Sequence, residues 1–332
     1  MLFNFICLII FKIIYSEDKE NSTIKIGLAF PFKDTFWGTY EEKFKENDKL
    51  FKDEGITFEF ISRFSQQSIS IQQADVEYLL SQKIQVLVIV PHDAKASKTI
   101  KKYCDLANIK IIAFNRIISD VEIDAYVSPN LIRAGELQAE FIVKNYNNTT
   151  TKNLLLMRGP DSDKNSMLFY NGSINYLKNS NLDFNITYLN LTKWDKYEAA
   201  DFCKSIREKN ITISFIIAGN DDIGKSCIEE LKKTQYDNVI YMAGHDNAPE
   251  EVKILFEKMK DKFITIDMNQ DLSIFETLVV AKNIANNKPF EFNTTILNGN
   301  YEVPHIIVDV IEITYDDYKK NKTQNNNIKT DL

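Results

Sequence analysis

The chain of 332 residues has few of the side chains that most often carry chemistry. It has three histidines, His92, His245 and His305, and none stands at metal-ligand spacing from a cysteine or another histidine, so no metal site is expected. No G-x-S-x-G elbow is present, which removes the usual signature of an α/β hydrolase. Of four cysteines, Cys7 lies in the apolar leader, which leaves Cys104, Cys203 and Cys227. An odd number excludes a disulfide framework as the basis of the fold. Cys203 and Cys227 fall on successive predicted helices, where they could pair or stay as buried thiols. Basic residues form no stripe: 40 Lys and Arg are scattered against 47 Asp and Glu, for a net charge of −7. A nucleic-acid partner needs a concentrated basic face and is not expected. Beyond the leader, no apolar run is long enough to cross a bilayer.

What is present is ordinary for a folded protein: 44% hydrophobic, 12% aromatic and 26% charged residues. The length suggests two domains or one large one. Leu2 to Tyr15 is apolar except for Asn4 and Lys12, and Ser16 precedes an acidic stretch. As a helix it would reach about 21 Å, short of a hydrocarbon core of about 30 Å. A signal peptide over 1–16, cleaved after Ser16, is expected, which places the mature chain outside the cytoplasm. A buried first strand or helix and a single-pass anchor are the competing readings. Nine Asn-x-Ser/Thr sites follow, at Asn21, Asn147, Asn148, Asn171, Asn185, Asn190, Asn210, Asn293 and Asn321. With 32 Asn and 37 Ser plus Thr, chance gives about four, so the excess mildly favours a glycoprotein.

From Asn21 onward, short apolar strands alternate with amphipathic helices. The strands read IKIGLAF, ITFEFIS, VLVIV, IKIIAF, NLLLM, FNITYL, ISFIIA, NVIYMA and FITID. Helices are expected to begin near Trp37, Ile69, Ala94, Leu131, Asn165, Tyr197, Asp222, Pro249 and Asp271. Strands without polar interruption are buried on both faces, as in a parallel sheet covered by helices. The stretch VLVIVPHDAKASKTIKKYCDLANIKIIAFNR can be laid over SFIIAGNDDIGKSCIEELKKTQYDNVIYMAGHD, strand on strand and helix on helix. Two similar doubly wound, Rossmann-like α/β lobes with parallel sheets are therefore expected. Ligands of such sheets bind beyond the carboxyl ends of the strands. The polar residues there are Asn115 with Arg116, Asp163 with Asn165, Asn220 with Asp221, and Asp246.

The segments AFNRIISDVEIDAYVSPNLIRAGELQAEFIV, LMRGPDSDKNSMLFYNGSINYLK, IIAGNDDIGKSCIEEL and MAGHDNAPEEV stand in one order over nearly all of Lys25 to Tyr318. In that series the chain resembles the type I periplasmic sugar-binding proteins of ABC transporters, and most of all their xylose-binding branch. The resemblance implies a hinge of three crossings, near Ser128–Asn130, Met268–Gln270 and Glu302–Pro304. An N-terminal lobe would comprise 24–128 plus 270–301 and a C-terminal lobe 131–267 plus 304–318. The polar tail 319–332 is expected to be disordered. The implied function is capture of one monosaccharide, a pentose or hexose, in a cleft that closes by hinge bending, for transport or sensing.

Arg116, Asn115, Asp163, Asn165, Asn220 and Asp246 would then grip vicinal hydroxyls, since their planar groups can engage two neighbouring oxygens. Trp37 and Trp194 would stack on the C–H face of the sugar, with Phe32 and Phe36 competing for the first place. Capping of helices by Asp163 and core anchoring by either tryptophan are the structural alternatives. Asn115 stands where the family carries Asp, and Met268 where close relatives carry Lys, a role Asn269 could take over. No cofactor and no enzymatic activity are expected. The alternatives are a receptor module for a non-sugar ligand and a carbohydrate-active enzyme. A monomer is expected, with a membrane transporter or receptor as a possible partner. Gly219 to Ser226, GNDDIGKS, is a literal P-loop match. Asp221 and Asp222 would oppose a polyphosphate there, where the loop needs bare amides.

Overall fold

A computed structural model describes residues 22–33, 35–66, 68–95, 98–234 and 239–330. The expected signal peptide and Asn21 lie outside them, as does the side chain of Phe36. In chain order the elements are β1 (Ser22–Phe30), α1 (Thr35–Asn47), β2 (Ile56–Phe64), α2 (Ile69–Ser81), β3 (Val86–Ile89), α3 (Lys98–Ala107), β4 (Lys110–Phe114) and β5 (Ala125–Pro129). There follow α4 (Leu131–Lys144), β6 (Asn153–Arg158), α5 (Lys164–Asn179), β7 (Asn185–Asn190), α6 (Lys196–Glu208), β8 (Phe215–Ile217), α7 (Asp221–Leu231), β9 (Tyr241–Ala243), α8 (Pro249–Met259) and β10 (Phe263–Asp267). The chain ends with α9 (Gln270–Ala285), β11 (Thr294–Asn298), β12 (Tyr301–Val308), β13 (Ile311–Ile313) and α10 (Tyr315–Thr330). The described residues form two compact units: unit 1 is 22–126 with Ile274–Pro304, and unit 2 is Val127–Ser273 with 305–330.

Unit 1 holds a seven-stranded sheet in the order β11-β12-β5-β4-β3-β1-β2. β1 pairs in parallel with β2 and β3, and β3 with β4. Val86 to Ile89 of β3 are all buried, which is why this strand tolerates no polar residue on either face. Unit 2 holds a six-stranded sheet, β13-β10-β9-β8-β6-β7. Its pairs β6/β7, β6/β8, β8/β9 and β9/β10 are parallel, and β10/β13 is antiparallel. The period-two alternation of a strand divides β6 between two cores. Leu155 and Met157 pack with Ala199, Cys203 and Cys227 of α6 and α7, while Leu154 and Leu156 pack with Ala134, Ile142 and Ile174 of α4 and α5. Each such buried Leu is worth about 1.5–3 kcal/mol.

Helix starts are set by side-chain oxygens accepting from the first-turn amides: Ser68 for α2, Asn130 for α4, Asp163 for α5, Asp195 for α6 and Asn220 for α7. Cys203 of α6 and Cys227 of α7 form a disulfide with their Cα atoms 5.3 Å apart, so of the two readings left open the pairing is the one realised. Cys104 is a buried free thiol.

Three expectations need correction. The third helix begins at Lys98, later than Ala94, because Asp93 turns the chain first, its Oδ1 accepting from the Lys95 amide. β5, β11, β12 and β13 are strands that an uninterrupted apolar run does not reveal; β11 alternates exposed and half-buried residues before Asn298. The tail beyond Lys319, expected to be disordered, continues helix α10 as far as Thr330. Two anchors start that helix. Thr314 and Asp317 exchange bonds, Thr314 N to Oδ2 (3.1 Å) and Asp317 N to Oγ1 (3.4 Å). Tyr315 and Tyr318 lay their rings 6.1 and 5.2 Å from that of Phe256.

Candidate functional site

The residues singled out in the sequence fall on both units. In unit 1, β4 ends at Phe114 and Asn115 turns the chain with φ of 60°. Asparagine is among the few non-glycine residues at ease in that region, which gives Asn115 a backbone reason to stand there. Its carbonyl accepts from the Tyr126 hydroxyl at 2.9 Å, and the Arg116 amide folds back to the Phe114 carbonyl at 2.6 Å. The Arg116 guanidinium lies 5.7 Å from the centre of the Trp37 ring. Trp37 is itself buried and packs on Tyr40 (5.3 Å) and Phe30 (6.1 Å), so it anchors α1 to the core. Phe32 is half-buried. His92, on the loop beyond β3, joins this group. Burial first, and then the charge of Arg116, hold its imidazole below the usual range against the pull of Asp93.

Unit 2 carries the denser cluster. Asp163 is buried, and its two carboxylate oxygens have separate tasks. Oδ1 accepts from the Asn165 amide at 3.0 Å, capping α5, and Oδ2 accepts from Trp194 Nε1 at 3.0 Å. Capping therefore accompanies a second role that spacing alone does not reveal. The half-exposed indole lies so close to Gly159 that a Cβ there would come within 2.3 Å of the ring. His245 stands edge-on to Trp194 at 6.3 Å and is stacked on Phe169 at 4.2 Å with the planes 7° apart. Its Nδ1 is 2.9 Å from Oδ1 of Asp246, whose own φ is 93°. Arg158, at the end of β6, pairs with Asp161 at 2.5 Å. A small hollow lies among Arg158, Gly159, Phe169, Trp194, Gly219 and His245. Gln138 closes its inner side, reaching from α4 to the carbonyls of Ala218 and Ala243 at 3.2 and 3.3 Å.

Asn220 and Asp221 divide their labour. Asn220 caps α7, its Oδ1 accepting from the Ile223 amide at 2.9 Å. Asp221 is fully buried and clasps the loop that carries His245 and Asp246. Its amide donates to the His245 carbonyl (3.0 Å), and its Oδ2 accepts from Thr265 Oγ1 (2.8 Å) and the Ala248 amide (3.2 Å). Burial above all, with Asp246 nearby, drives the Asp221 carboxyl well above the usual range, against the bond from Thr265. Gly244 is required beside it, since a Cβ would lie 2.0 Å from Asp221 Oδ1. In the P-loop match, Asp222 pairs with Lys196 (3.2 Å) and Lys225 with Glu251 (4.0 Å). With Asn220 on its first amides and an acid buried beneath, that turn is built unlike a phosphate cradle.

Asn269 turns at φ of 51° with its amide on Asp267 Oδ1 (2.7 Å) and its Nδ2 on the Asp309 carbonyl (3.1 Å). Asn247 Nδ2 donates to the other oxygen of Asp267 at 2.8 Å, so Asn269 adjoins the Asp246 loop through Asp267. Met268 is buried in the core. Thus unit 1 brings together Trp37, Asn115 and Arg116, and unit 2 holds Asp163, Asn165, Trp194, Asn220, Asp246 and Asn269. Sequence reasoning passed over His92, Arg158, Gln138, Phe169 and His245. Arg158 and His245 were findable, since each follows or ends a strand as the others do. Among the described residues no group of three or more His, Cys, Asp or Glu is arranged to hold a metal ion. Nor is any helix among them long and apolar enough to cross a membrane.

Residues 26–289 match the family model described as periplasmic binding protein domain. Over 315 residues the chain is 22% identical to the D-xylose-binding periplasmic protein of Haemophilus influenzae, covering 90% of this chain and 89% of that one. It is 24% identical over 255 residues to the D-xylose-binding periplasmic protein of Escherichia coli, covering 75% of each. The structure of a carbohydrate transporter solute binding protein from Chloroflexus aurantiacus, in complex with D-glucose, superposes with a TM-score of 0.77 at 22% identity, covering 89% of this chain and 94% of that one. That of an ABC transporter solute binding protein from Bacillus halodurans with bound myo-inositol gives 0.73 at 20% identity, covering 93% and 99%. These likenesses bear out the two doubly wound α/β lobes expected from the strand and helix order.

Proposed function

Because the chain belongs to the periplasmic binding protein domain family, we propose that it captures a monosaccharide or a polyol of that size, without altering it chemically. The observation that carries this reading is the Asp163–Trp194–His245–Asp246 cluster at the carboxyl ends of the unit 2 strands. An indole held at its edge by a carboxylate, Nε1 on Asp163 Oδ2, offers a flat apolar face to ring C–H groups. Asp246, fixed by His245 and half-exposed, offers acceptors to neighbouring hydroxyls. In unit 1, Arg116 presents a planar fork of donors with a permanent charge. Asn115 and Asn220 supply amides that donate as well as accept. D-xylose, D-glucose and myo-inositol, the ligands of those relatives and neighbours, are all of this chemistry.

The setting is extracytoplasmic, as for relatives named periplasmic. The partner is a membrane transporter or receptor that reads the loaded state, and the protein acts as a monomer without cofactor or nucleic acid. Titration calorimetry with D-xylose, D-glucose, myo-inositol and an amino-acid control tests the reading. Saturable one-to-one binding of at least one of the three polyols, with the ligand recovered unchanged, is expected. Binding of the amino acid alone, or turnover of the sugar, would refute it.

A further inference from the structure

The asparagines of the Asn-x-Ser/Thr sites differ from the rest. All eight within the described residues, from Asn147 to Asn321, are exposed, against seven of the other eighteen whose surroundings are described. This contrast adds to the excess of sites in favouring their use over coincidence in an Asn-rich chain. Four of the eight gather at one place on unit 2. Asn185 opens β7 and its Nδ2 donates to Asn153 Oδ1 (2.8 Å) at the start of β6. Asn153 Nδ2 in turn donates to the Thr212 carbonyl at 2.6 Å, two residues beyond Asn210. The Tyr146 hydroxyl donates to the Asp183 carbonyl at 3.1 Å, which draws Asn147 and Asn148 to the same end.

This is the amino end of the strands. Asp163, Trp194 and Asp246 follow the carboxyl ends, and the six residues of β6 separate the two by about 20 Å. β7 is also an edge strand of its sheet, with Tyr188 47% exposed on it. An uncovered edge invites pairing with another chain unless something bulky or charged blunts it. The Cys203–Cys227 disulfide belongs to the oxidising compartments in which N-glycans are added.

We propose that N-linked glycans on Asn185, on Asn210 and on one of Asn147 and Asn148 sheathe this end of unit 2 and the neighbouring edge strand. The donor is a lipid diphosphate-linked oligosaccharide. Asparagine Nδ2 bonds to the anomeric carbon, the bond from that carbon to the diphosphate oxygen breaks, and the lipid diphosphate departs while the amide gives up one proton. Nothing is oxidised or reduced. This inference is independent of which ligand the protein takes.

Protein isolated from the organism that makes it, treated with a glycan-releasing amidase in heavy-oxygen water, tests it by peptide mass spectrometry. Heavy-labelled aspartate is expected at positions 185 and 210 and at one of 147 and 148. Unmodified asparagine at 185 or at 210, or label confined to other sites, would overturn it. As a second readout, Asn185→Gln expressed in that organism should lose the mass of one glycan. Its melting temperature beside that of the native chain checks folding, and an unchanged mass in the folded variant would contradict the assignment.

Discussion

Two oxygens of one carboxylate hold the most organised part of the candidate site. Asp163 caps α5 with Oδ1 and fixes the indole of Trp194 with Oδ2. Asp163→Ala removes both, and loss of a cap alone costs about 0.5–2 kcal/mol. Asp163→Asn keeps a capping oxygen but turns an amide towards the indole N–H. Denaturant unfolding should therefore show a clear loss for Asp163→Ala and a smaller one for Asp163→Asn, while both weaken the response to sugar. Equal losses in stability would mean that the cap contributes nothing. His305 supplies a test by pH. It is buried, lies 2.9 Å from Ser128 Oγ, and desolvation lowers its pKa from 6.5 to about 4. The unfolded chain takes up this proton first as pH falls, so the stability is complete above 6.5 and is lost as pH falls towards 4. The loss is about 3 kcal/mol at most. Stability of His305→Gln followed over the same window should fall less steeply than that of the native chain. Parallel slopes would show that His305 does not titrate as its burial requires. At this scale the site was partly legible. Asn115, Asp246 and Asn269 are Asn or Asp beyond strand ends, and all three adopt positive φ. Gln138 and Phe169 were not legible, because each is brought in from a helix by packing that no local pattern encodes.

At the scale of elements, the uninterrupted apolar strands could be read because burial on both faces leaves the same mark wherever it occurs, as in Val86–Ile89 and Leu154–Met157. β11 and β13 lacked that mark, since one alternates with solvent and the other has only three residues. Helix starts were read to within a residue or two wherever Ser, Asn or Asp caps them; the one larger error, at Ala94, is where a turn intervenes. The pairing of Cys203 with Cys227 was undetermined, because sequence gives neither the crossing of α6 with α7 nor the 5.3 Å between Cα atoms. The bond closes a loop of 24 residues. For a loop of that size the entropy taken from the unfolded chain is worth about 3 kcal/mol. Urea unfolding with and without reductant should differ by that amount for the native chain, and not at all for the double variant Cys203→Ser/Cys227→Ser. An unchanged midpoint on reduction would contradict the contribution of the cross-link.

For the molecule as a whole, duplication was the strongest signal, since two stretches of one pattern made two similar units the simplest reading. The ligand itself was not legible to the same degree. Hydroxyl patterns are distinguished by the placing of a few donors and acceptors, and here Asn115 and Met268 depart from what the family resemblance leads one to expect. The central proposal is that the chain binds one small polyol and that Arg116 and Asp246 each contribute to that binding. It is tested most directly by the melting temperature of the native chain, Arg116→Ala and Asp246→Ala, each with and without the sugar that binds. A ligand at a hundredfold excess over its Kd should stabilise the native chain by about 2.7 kcal/mol, and neither variant should respond when compared with its own melting temperature without sugar. A full response in either variant would contradict the claim.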